Sequence, residues 1–266
     1  FRLNILNTKR INFIVQLGSG SFSQISGEVV KPLLYIQTNQ IEQNNFFAVL
    51  DTSYNNSIES KVDALIGKEI LILNQKLQKS NSGNRFSLAE FNNLPLLQDY
   101  ADYFNGITTG DILRFSLKFW EISQINKSIH LFFGSTLNDT SYYGGCEQII
   151  KWEKGQGELI NSVKERLGEN SISQWIRITE PPTRNGIIVS AMGKLPLSLF
   201  NKTFFDDNTV VIIPKNPVDL TAIWAFCSSN IYTKLVREVD QSLKVRGPLV
   251  KVPFELEHWQ KVAAEK

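Results

Sequence analysis

The amino-acid sequence predicts an α/β fold in two parts. Short apolar runs of strand length alternate with segments whose apolar residues recur at helical spacing. A polar stretch at residues 79–85, with the sequence KSNSGNR, interrupts this pattern. We therefore expect one part over residues 1–80 and a second over residues 81–266, the second built of short, mostly antiparallel strands and a few helices.

The first part is expected to be a small sheet with a linking helix. The apolar runs 11–17, 29–37 and 46–51 indicate strands, with Pro32 at a bulge or at a sheet edge. Because these runs lack polar alternation, we expect a sheet that is covered on both faces. Residues 60–78 carry apolar side chains at the spacing of one helix face.

The second part is expected to begin with a short helix at residues 94–104, ended by Asn105-Gly106. A turn at residues 108–111 and an aromatic-rich strand at residues 115–122 should follow. The later predicted elements are a glycine turn at 142–146, strands at 148–152, 184–192 and 209–213, and helices at 157–167, 220–239 and from about 255 onward.

Composition limits the possible classes of protein. A hydrophobic content of 42% with 11% aromatic residues is sufficient for a packed core, which argues against a disordered chain. The net charge is only +2, so a nucleic-acid-binding function has to be argued from where the cations lie. The chain starts at Phe1 and stops within an apparent helix, WQKVAAEK, so we expect an excised piece of a longer protein.

The cysteines and histidines predict no metal site. Cys146 and Cys227 are far apart in sequence and match neither a disulfide framework nor a zinc-ligand spacing, which fits a reducing, cytoplasmic location. His130 and His258 have no partners arranged as in a catalytic triad. No apolar stretch reaches the roughly 20 residues of a membrane helix, so no membrane partner is expected.

Gly18-Ser19-Gly20 follows the first predicted strand, where some enzymes hold a phosphate or a nucleotide. The full dinucleotide spacing is absent, and no Walker lysine–serine pair is present. A strand-to-loop turn is therefore the favoured interpretation. A free-standing nucleotide-binding enzyme that uses the Gly18–Gly20 loop is kept as an alternative.

The segment LGSGSFSQISGEVV, which contains this loop, resembles the stretch after the catalytic core of amino-methylating DNA methyltransferases. In that family it closes the Rossmann-like domain that binds S-adenosylmethionine. The cofactor glycine motif and the Asn/Asp-Pro-Pro-Tyr/Phe motif are absent here, since Pro181-Pro182 is preceded by Thr179-Glu180. The resemblance thus implies S-adenosylmethionine in an intact parent protein, but no catalytic and no cofactor-binding residue in this chain.

A second phrase, FNGITTGDILRFSLKFWEI at residues 104–122, is similar to the start of the target-recognition region in type IIG and phage-exclusion methyltransferases. The hydroxyls of Thr108 and Thr109 and the glycine amides are suited to hold a phosphate, and Arg114 is suited to pair with one. The alternative is a polar turn whose threonines cap a helix.

A third phrase, YYGGCEQIIKWEKG at residues 142–155, is similar to a glycine-aromatic phrase of the same families. Tyr143 is a candidate to stack on a base, and Lys151 is a candidate phosphate contact. For Trp152 we favour a place in the core.

The run from residue 184 to residue 254 completes the resemblance with RNGIIVSAMGKLP, FFDDN, WAFCSS and VDQSLKVRGPLVKVPF in the family's order. Arginine and lysine suit phosphates and guanine edges, whereas asparagine and glutamine suit adenine edges. Asp206-Asp207-Asn208 is interpreted as a turn rather than a Mg²⁺ site. The candidate DNA contacts in this run are Arg184, Asn185, Lys194, Gln241, Lys244 and Arg246.

The resemblance implies a fold in which residues 1–80 form the tail of a Rossmann-like methyltransferase sheet plus a linking helix. Residues 81–266 would then form a mixed α/β target-recognition domain. The parent would methylate adenine N6 in duplex DNA within a restriction-modification or phage-defence system, with this chain gripping the DNA beside the methyltransferase domain. The chain alone should be inactive. A protein-interaction module of a defence complex is a further alternative, and it predicts binding that does not depend on salt.

Overall fold

The structure is a computed structural model that describes residues 2–24, 30–40, 45–55, 57–81, 86 and 94–265. The chain divides into two compact units, Phe1–Leu94 and Pro95–Lys266. Both contain helices and small sheets, so the α/β fold class is confirmed.

The first unit contains one four-stranded sheet, sheet I, with the strand order β2-β1-β3-β4. Strand β1 is parallel to β3, and the other neighbours are antiparallel. Its buried side chains include Ile11, Ile14 and Phe47. The elements are α1 (Arg2–Thr8), β1 (Arg10–Gln16), β2 (Leu33–Thr38), β3 (Phe46–Asp51), α2 (Ile58–Gly67), β4 (Leu71–Asn74) and a 3₁₀ turn at Leu77–Ser80.

The predicted helix over residues 60–78 is wrong in its second half. Helix α2 begins after Ser57, whose hydroxyl accepts a hydrogen bond from the Ser60 amide at 3.1 Å, and it ends at Gly67. The following residues form β4, because pairing with β3 satisfies their backbone groups. Leu71 and Leu73 follow strand periodicity, whereas Ile70 and Leu73 fit helical spacing, and pairing in the sheet decides between them.

The expectation that this sheet is covered on both faces is also wrong for β2. Leu33, Leu34 and Ile36 are each more than half exposed, because β2 is an edge strand of sheet I. The strand begins after Pro32, and the first residue predicted for it, Val29, lies outside the described residues.

The second unit contains two four-stranded sheets. Sheet II has the order β10-β9-β12-β5, with every neighbouring pair antiparallel. Sheet III has the order β11-β7-β8-β6 and is antiparallel except for the β11–β7 pair. The strands are β5 (Ala101–Asn105), β6 (Ser116–Lys118), β7 (His130–Gly134), β8 (Gln148–Lys151), β9 (Ile187–Ser190), β10 (Leu197–Leu199), β11 (Phe204–Phe205) and β12 (Thr209–Pro214).

The helices of the second unit cover these sheets. Three of them, α6 to α8, share a core cluster with one face of sheet II, and α5 shares a cluster with sheet III. The helices are α3 (Leu97–Tyr100), α4 (Ile112–Phe115), α5 (Glu158–Leu167), α6 (Leu220–Cys227), α7 (Asn230–Val239) and α8 (Leu256–Ala264), with 3₁₀ turns at Phe119–Glu121, Glu153–Gly155, Glu169–Gln174, Pro217–Asp219 and Gly247–Val250.

The central strands of sheet II are buried on both faces. Ile187 and Ile212 belong to the cluster under α6 to α8, whereas their neighbours Ile188, Val211 and Ile213 belong to a second cluster on the opposite face. Each such side chain contributes about 1.5–3 kcal/mol when it leaves water. This explains why β9 and β12 have uninterrupted apolar sequences, and it makes the sheet a rigid base for its loops.

Three predicted elements of the second unit differ from the structure. The helix expected at 94–104 is only α3, and it is followed by β5, which pairs with β12. The strand expected at 115–122 is only β6, followed by a 3₁₀ turn. The helix expected at 220–239 is divided into α6 and α7, because the Ser229 hydroxyl accepts from the Tyr232 amide at 3.3 Å and so caps a new helix.

Candidate nucleic-acid interface

Four chain segments meet at one end of sheet II, where β5 and β9 end and β12 begins. The Ala191 amide donates to the Asn208 carbonyl at 2.7 Å, and the Val245 amide donates to the Ala191 carbonyl at 2.8 Å. The Asp207 amide donates to the Ile107 carbonyl at 3.0 Å. The loop after β5, the turn before β12 and residues 244–246 are thereby held side by side.

At this junction Asp207 binds three cationic side chains, which together with it we call the Asp207 cluster. Lys244 Nζ lies 2.6 Å from Asp207 Oδ2. Arg246 Nη2 lies 2.7 Å from Oδ1 and 2.6 Å from Oδ2. Arg177 Nη1 donates to Oδ1. The Asp207 side chain is only 12% exposed, so these contacts lie in a poorly solvated site.

Arg177 extends the cluster to the loop after β5. Its Nη1 also donates to the Gly106 carbonyl at 3.2 Å and to the Thr108 hydroxyl at 3.3 Å. The Thr108 amide in turn donates to the Trp175 carbonyl at 3.0 Å. Thr108, a predicted phosphate contact, is thus fixed next to Lys244 and Arg246.

The cluster carries more positive than negative charge. Burial alone would raise the pKa of Asp207, but the hydrogen bond from Lys244 and the charges of Arg177, Lys244 and Arg246 hold it below its usual value. Burial raises the pKa of the neighbouring Asp206, and its hydrogen bond from the Asn208 amide opposes this shift. Even with both carboxylates ionised, three cations face two anions.

The cationic side chains of the cluster are each partly exposed. The Arg246 side chain is 36% exposed, that of Arg177 is 27% exposed and that of Lys244 is 25% exposed. Arg246 Nε is buried and has no hydrogen-bond partner within the described part of the chain. An unsatisfied buried donor on a cation is costly.

Two further predicted DNA contacts, Lys194 and Gln241, lie at the same end of sheet II. Lys194 is exposed in the turn between β9 and β10. Arg237 of α7 donates to the Gly193 carbonyl at 2.8 Å and to the Ser242 carbonyl at 2.6 Å. This ties the turn to residues 240–244, where the predicted Gln241 is partly buried.

Arg184 and Asn185, also predicted contacts, lie at the opposite end of sheet II. They precede β9, and the distance from Asn185 to Ala191 along the strand is about 20 Å at roughly 3.3 Å per residue. Arg184 Nη2 lies 3.0 Å from Asp102 Oδ2, and its Nη1 donates to the Pro214 carbonyl at 3.3 Å. The structure therefore does not bring them together with the Asp207 cluster.

Arg114 and Lys151 lie outside the cluster as well. Arg114 Nε donates to Glu158 Oε1 at 3.0 Å, and this hydrogen bond raises the pKa of the guanidinium. Lys151 ends β8 opposite His130, whereas the other end of β7, at Gly134, receives the hydrogen bond from the Asp206 amide. Lys151 is thus at the far end of sheet III.

Tyr143 and Thr109 have opposite environments. Tyr143 is strongly exposed in the loop whose residue Tyr142 accepts a hydrogen bond from the Leu199 amide at 3.0 Å. Thr109 is buried. The alternative that the threonines cap a helix is wrong for α4, whose cap is Asp111, with its carboxylate accepting from the Arg114 amide at 3.2 Å.

The sequence analysis missed Arg177 and the role of Asp207. Asp207 does lie in the predicted turn, but its cationic partners are 30, 37 and 39 residues away in sequence. No local pattern marks such a contact. The one available signal is two acidic residues directly after the buried aromatic strand β11, which places a carboxylate near the core.

The loop after β1 is filled by groups of the chain itself. A Cβ atom on Gly18 would lie 2.6 Å from Ser53 Cα, so this glycine serves a close backbone approach. The buried Lys61 donates to the carbonyls of Leu17, at 2.6 Å, and Thr52, at 3.1 Å. These contacts favour a strand-to-loop turn at Gly18.

Three other expectations concern the core, metals and membranes. Trp152 is buried, in agreement with the place in the core that we favoured, and its ring centroid lies 4.6 Å from that of Phe204. Within residues 2–24, 30–40, 45–55, 57–81, 86 and 94–265, no three or more His, Cys, Asp or Glu side chains group where a metal ion could bind. None of the helices described in those ranges has the length and apolarity to span a membrane.

Comparison with solved structures gives weak likenesses, among them two restriction-modification enzymes. No protein-family model and no curated protein sequence matches the chain. The match to a structure of the type IIL restriction-modification enzyme MmeI in complex with DNA covers 93% of this chain and 34% of the MmeI chain, with 13% sequence identity and a TM-score of 0.47. The match to the type IIG restriction endonuclease BpuSI covers 100% of this chain and 40% of the BpuSI chain, with 8% sequence identity and a TM-score of 0.37. The chain thus spans less than half the length of either protein, and at these values neither likeness establishes its fold or its function.

Proposed function

We propose that this chain binds duplex DNA through the end of sheet II that carries the Asp207 cluster. The observation that carries the proposal is the convergence of Thr108, Lys244 and Arg246. Thr108 was predicted as a DNA contact from one phrase of the sequence and Lys244 and Arg246 from another, and all three meet around Arg177 and Asp207.

The charge balance of the cluster supports this function. A surplus of positive charge on partly exposed side chains attracts phosphates and releases counterions when they bind. Arginine also offers two parallel donors to the acceptor edge of guanine. Three cations share the single carboxylate of Asp207, so the positive charge at the cluster exceeds that of a simple ion pair.

We further propose that the chain is the target-recognition part of a site-specific DNA adenine-N6 methyltransferase of a restriction-modification or phage-defence system. This step rests on the sequence phrases that resemble that family. A methyltransferase must take its target base out of the helix, so the duplex has to be gripped beside the flipped base. The chain would supply that grip, and a methyltransferase domain of the parent would use S-adenosylmethionine for the reaction. The chain alone would be inactive.

The test is a salt titration of DNA binding by the 266-residue chain. Fluorescence anisotropy with a labelled duplex pool of about 30 randomised base pairs, between roughly 50 and 200 mM salt, should show log K falling linearly with log salt. Lys244→Gln and Arg246→Gln should each weaken binding, and a residue on a phosphate should lower the slope by about 1. Lys261→Gln on α8 is the matched control, because its side chain is exposed and distant from the cluster in the fold, and it should leave the binding unchanged.

Two results would favour other functions. Binding to a protein partner with no response to salt, and none to DNA, would favour the protein-interaction module. Binding of ATP or S-adenosylmethionine by the chain, measured by calorimetry, would favour a nucleotide-dependent enzyme built on the Gly18–Gly20 loop.

A further inference from the structure

We infer that Asp207 is a positioning residue for DNA binding, which holds Arg246 and Lys244 in the orientation that meets the DNA. The inference rests on the proposed function and adds a residue whose charge is opposite to that of a DNA contact. It concerns a carboxylate that would repel phosphate, yet whose removal should weaken binding.

The geometry of Arg246 supports this role. Both oxygens of Asp207 accept from the same nitrogen, Arg246 Nη2, at 2.7 and 2.6 Å. This holds one terminal nitrogen of the guanidinium, and Nε is buried without a partner in the described residues. Because the guanidinium is planar, holding Nη2 against both carboxylate oxygens restricts the directions in which the other donors point.

Lys244 and Arg177 complete the arrangement. Lys244 Nζ is held at Oδ2, and Arg177 Nη1 is held at Oδ1 beside the Thr108 hydroxyl. A flexible lysine or arginine loses rotamer entropy when it binds a ligand, at a cost of about 0.5–1.5 kcal/mol per immobilised side chain. Because Asp207 holds these side chains in the folded chain, their rotamer entropy is already lost on folding, and the cations are ordered before DNA binds.

Charge and positioning predict opposite signs for one substitution. If Asp207 acted only through its charge, Asp207→Asn would remove a repulsion and tighten DNA binding. If Asp207 positions the cations, Asp207→Asn frees them and weakens binding, although the net charge becomes more favourable. The sign of the change therefore separates the two roles.

The experiment compares the 266-residue chain with Asp207→Asn, Arg246→Gln and the double variant on the same duplex pool. We expect Asp207→Asn to weaken binding by about threefold or more, and this effect to disappear in the Arg246→Gln background, as for coupled residues. Glu257→Gln on α8 makes the same change in charge at an exposed position away from the cluster, and it should leave binding unchanged or slightly tighter.

Asp207→Glu is the second variant, because it keeps the charge and displaces the carboxylate by one methylene. Weaker binding is expected for it as well, whereas a pure charge effect predicts no change. Thermal unfolding without DNA identifies the temperature range in which each variant is folded, and binding is compared within that range.

Three results would overturn the inference. They are tighter binding by Asp207→Asn, unchanged binding by Asp207→Glu, and an equal loss in both Arg246 backgrounds. In these cases salt-dependent binding by the wild-type chain would leave the proposed function intact. No binding by the wild-type chain would remove the proposed function, and the inference with it.

A library selection locates the acceptor on the DNA. If Arg246 meets a base edge, Arg246→Gln should lose the sequence preference that the wild-type chain selects from the pool at one position. If it meets a phosphate, the variant should bind all sequences more weakly and keep the preference. Both outcomes support positioning by Asp207, provided that Asp207→Asn has the same effect as Arg246→Gln.

Discussion

At the scale of single residues, Asp207 links folding to pH. Its pKa in the folded chain is lowered by its cationic partners, relative to an unfolded value of about 3.9. A carboxylate with a lowered pKa contributes stability that is present above its unfolded pKa and is lost as pH falls through its folded pKa. The cluster should therefore stabilise the fold at neutral pH and lose this contribution in acid.

We expect Asp207→Asn to lower the free energy of unfolding by about 2 kcal/mol at pH 7, because three partly buried cations lose their common acceptor. The difference in unfolding free energy between the variant and the wild-type chain should shrink below about pH 4, where the wild-type carboxylate becomes protonated. Urea unfolding at pH 7 and below pH 4 measures this difference. A difference that grows in acid would contradict the sign of the pKa shift.

The two thiols should both be poorly reactive in the folded chain. Burial raises the pKa of Cys227, the buried last residue of α6, and burial is also the main cause that raises the pKa of Cys146. The thiolate is the reactive form, so raised pKa values slow the reaction at neutral pH. Titration with an aromatic disulfide reagent should show slow modification of Cys146 and modification of Cys227 only after unfolding. Rapid reaction of Cys227 in the native chain would contradict its place in the core.

At the scale of elements, the loop after β5 depends on a close approach of two backbones. A Cβ atom on Gly106 would lie 2.3 Å from the Asp206 carbonyl oxygen and 2.4 Å from that of Phe205. The chain cannot move apart there without losing the hydrogen bond of 2.9 Å from the Ile107 amide to the Phe205 carbonyl. This contact is what places Thr108 beside Arg177.

We therefore expect Gly106→Ala to destabilise the chain by more than about 2 kcal/mol through steric overlap. Gly67→Ala is the matched control, because nothing lies within 4 Å of a Cβ atom at Gly67, the last residue of α2. It should be neutral or stabilising by up to about 1 kcal/mol. Denaturant unfolding of both variants tests this, and equal effects would show that the loop after β5 can relax.

Elements with a single clear pattern of apolar residues could be predicted from the sequence. Elements whose secondary structure depends on pairing with another strand could not. The apolar runs of β3 and β12 and the amphipathic helix α5 lie within about a residue of their predicted bounds. By contrast, β4 and β5 have sequences that also fit a helix, and they become strands because β3 and β12 offer them hydrogen bonds. Within the candidate site, Thr108, Lys244 and Arg246 were found through family-like phrases, whereas Arg177 was missed because its partners are remote in sequence.

At the scale of the whole molecule, all four members of the Asp207 cluster belong to the unit Pro95–Lys266. Its two sheets are joined within that unit where β11 of sheet III leads through Asp206 and Asp207 into β12 of sheet II. The predicted cations are consequently divided between several places. Lys244 and Arg246 meet near the start of β12. Arg184 lies at the opposite end of sheet II, Lys151 lies at the far end of sheet III, and Arg114 is paired with Glu158.

If the chain binds DNA as proposed, the shared carboxylate has a consequence for any attempt to change its target sequence. Residues 177, 207, 244 and 246 come from three separate stretches of the chain but are joined through the one carboxylate of Asp207. Grafting residues 240–247 from another protein would leave Asp207 and Arg177 without the charged side chains that they contact in this chain. Successful retargeting of this surface should require exchanging all four positions as one set.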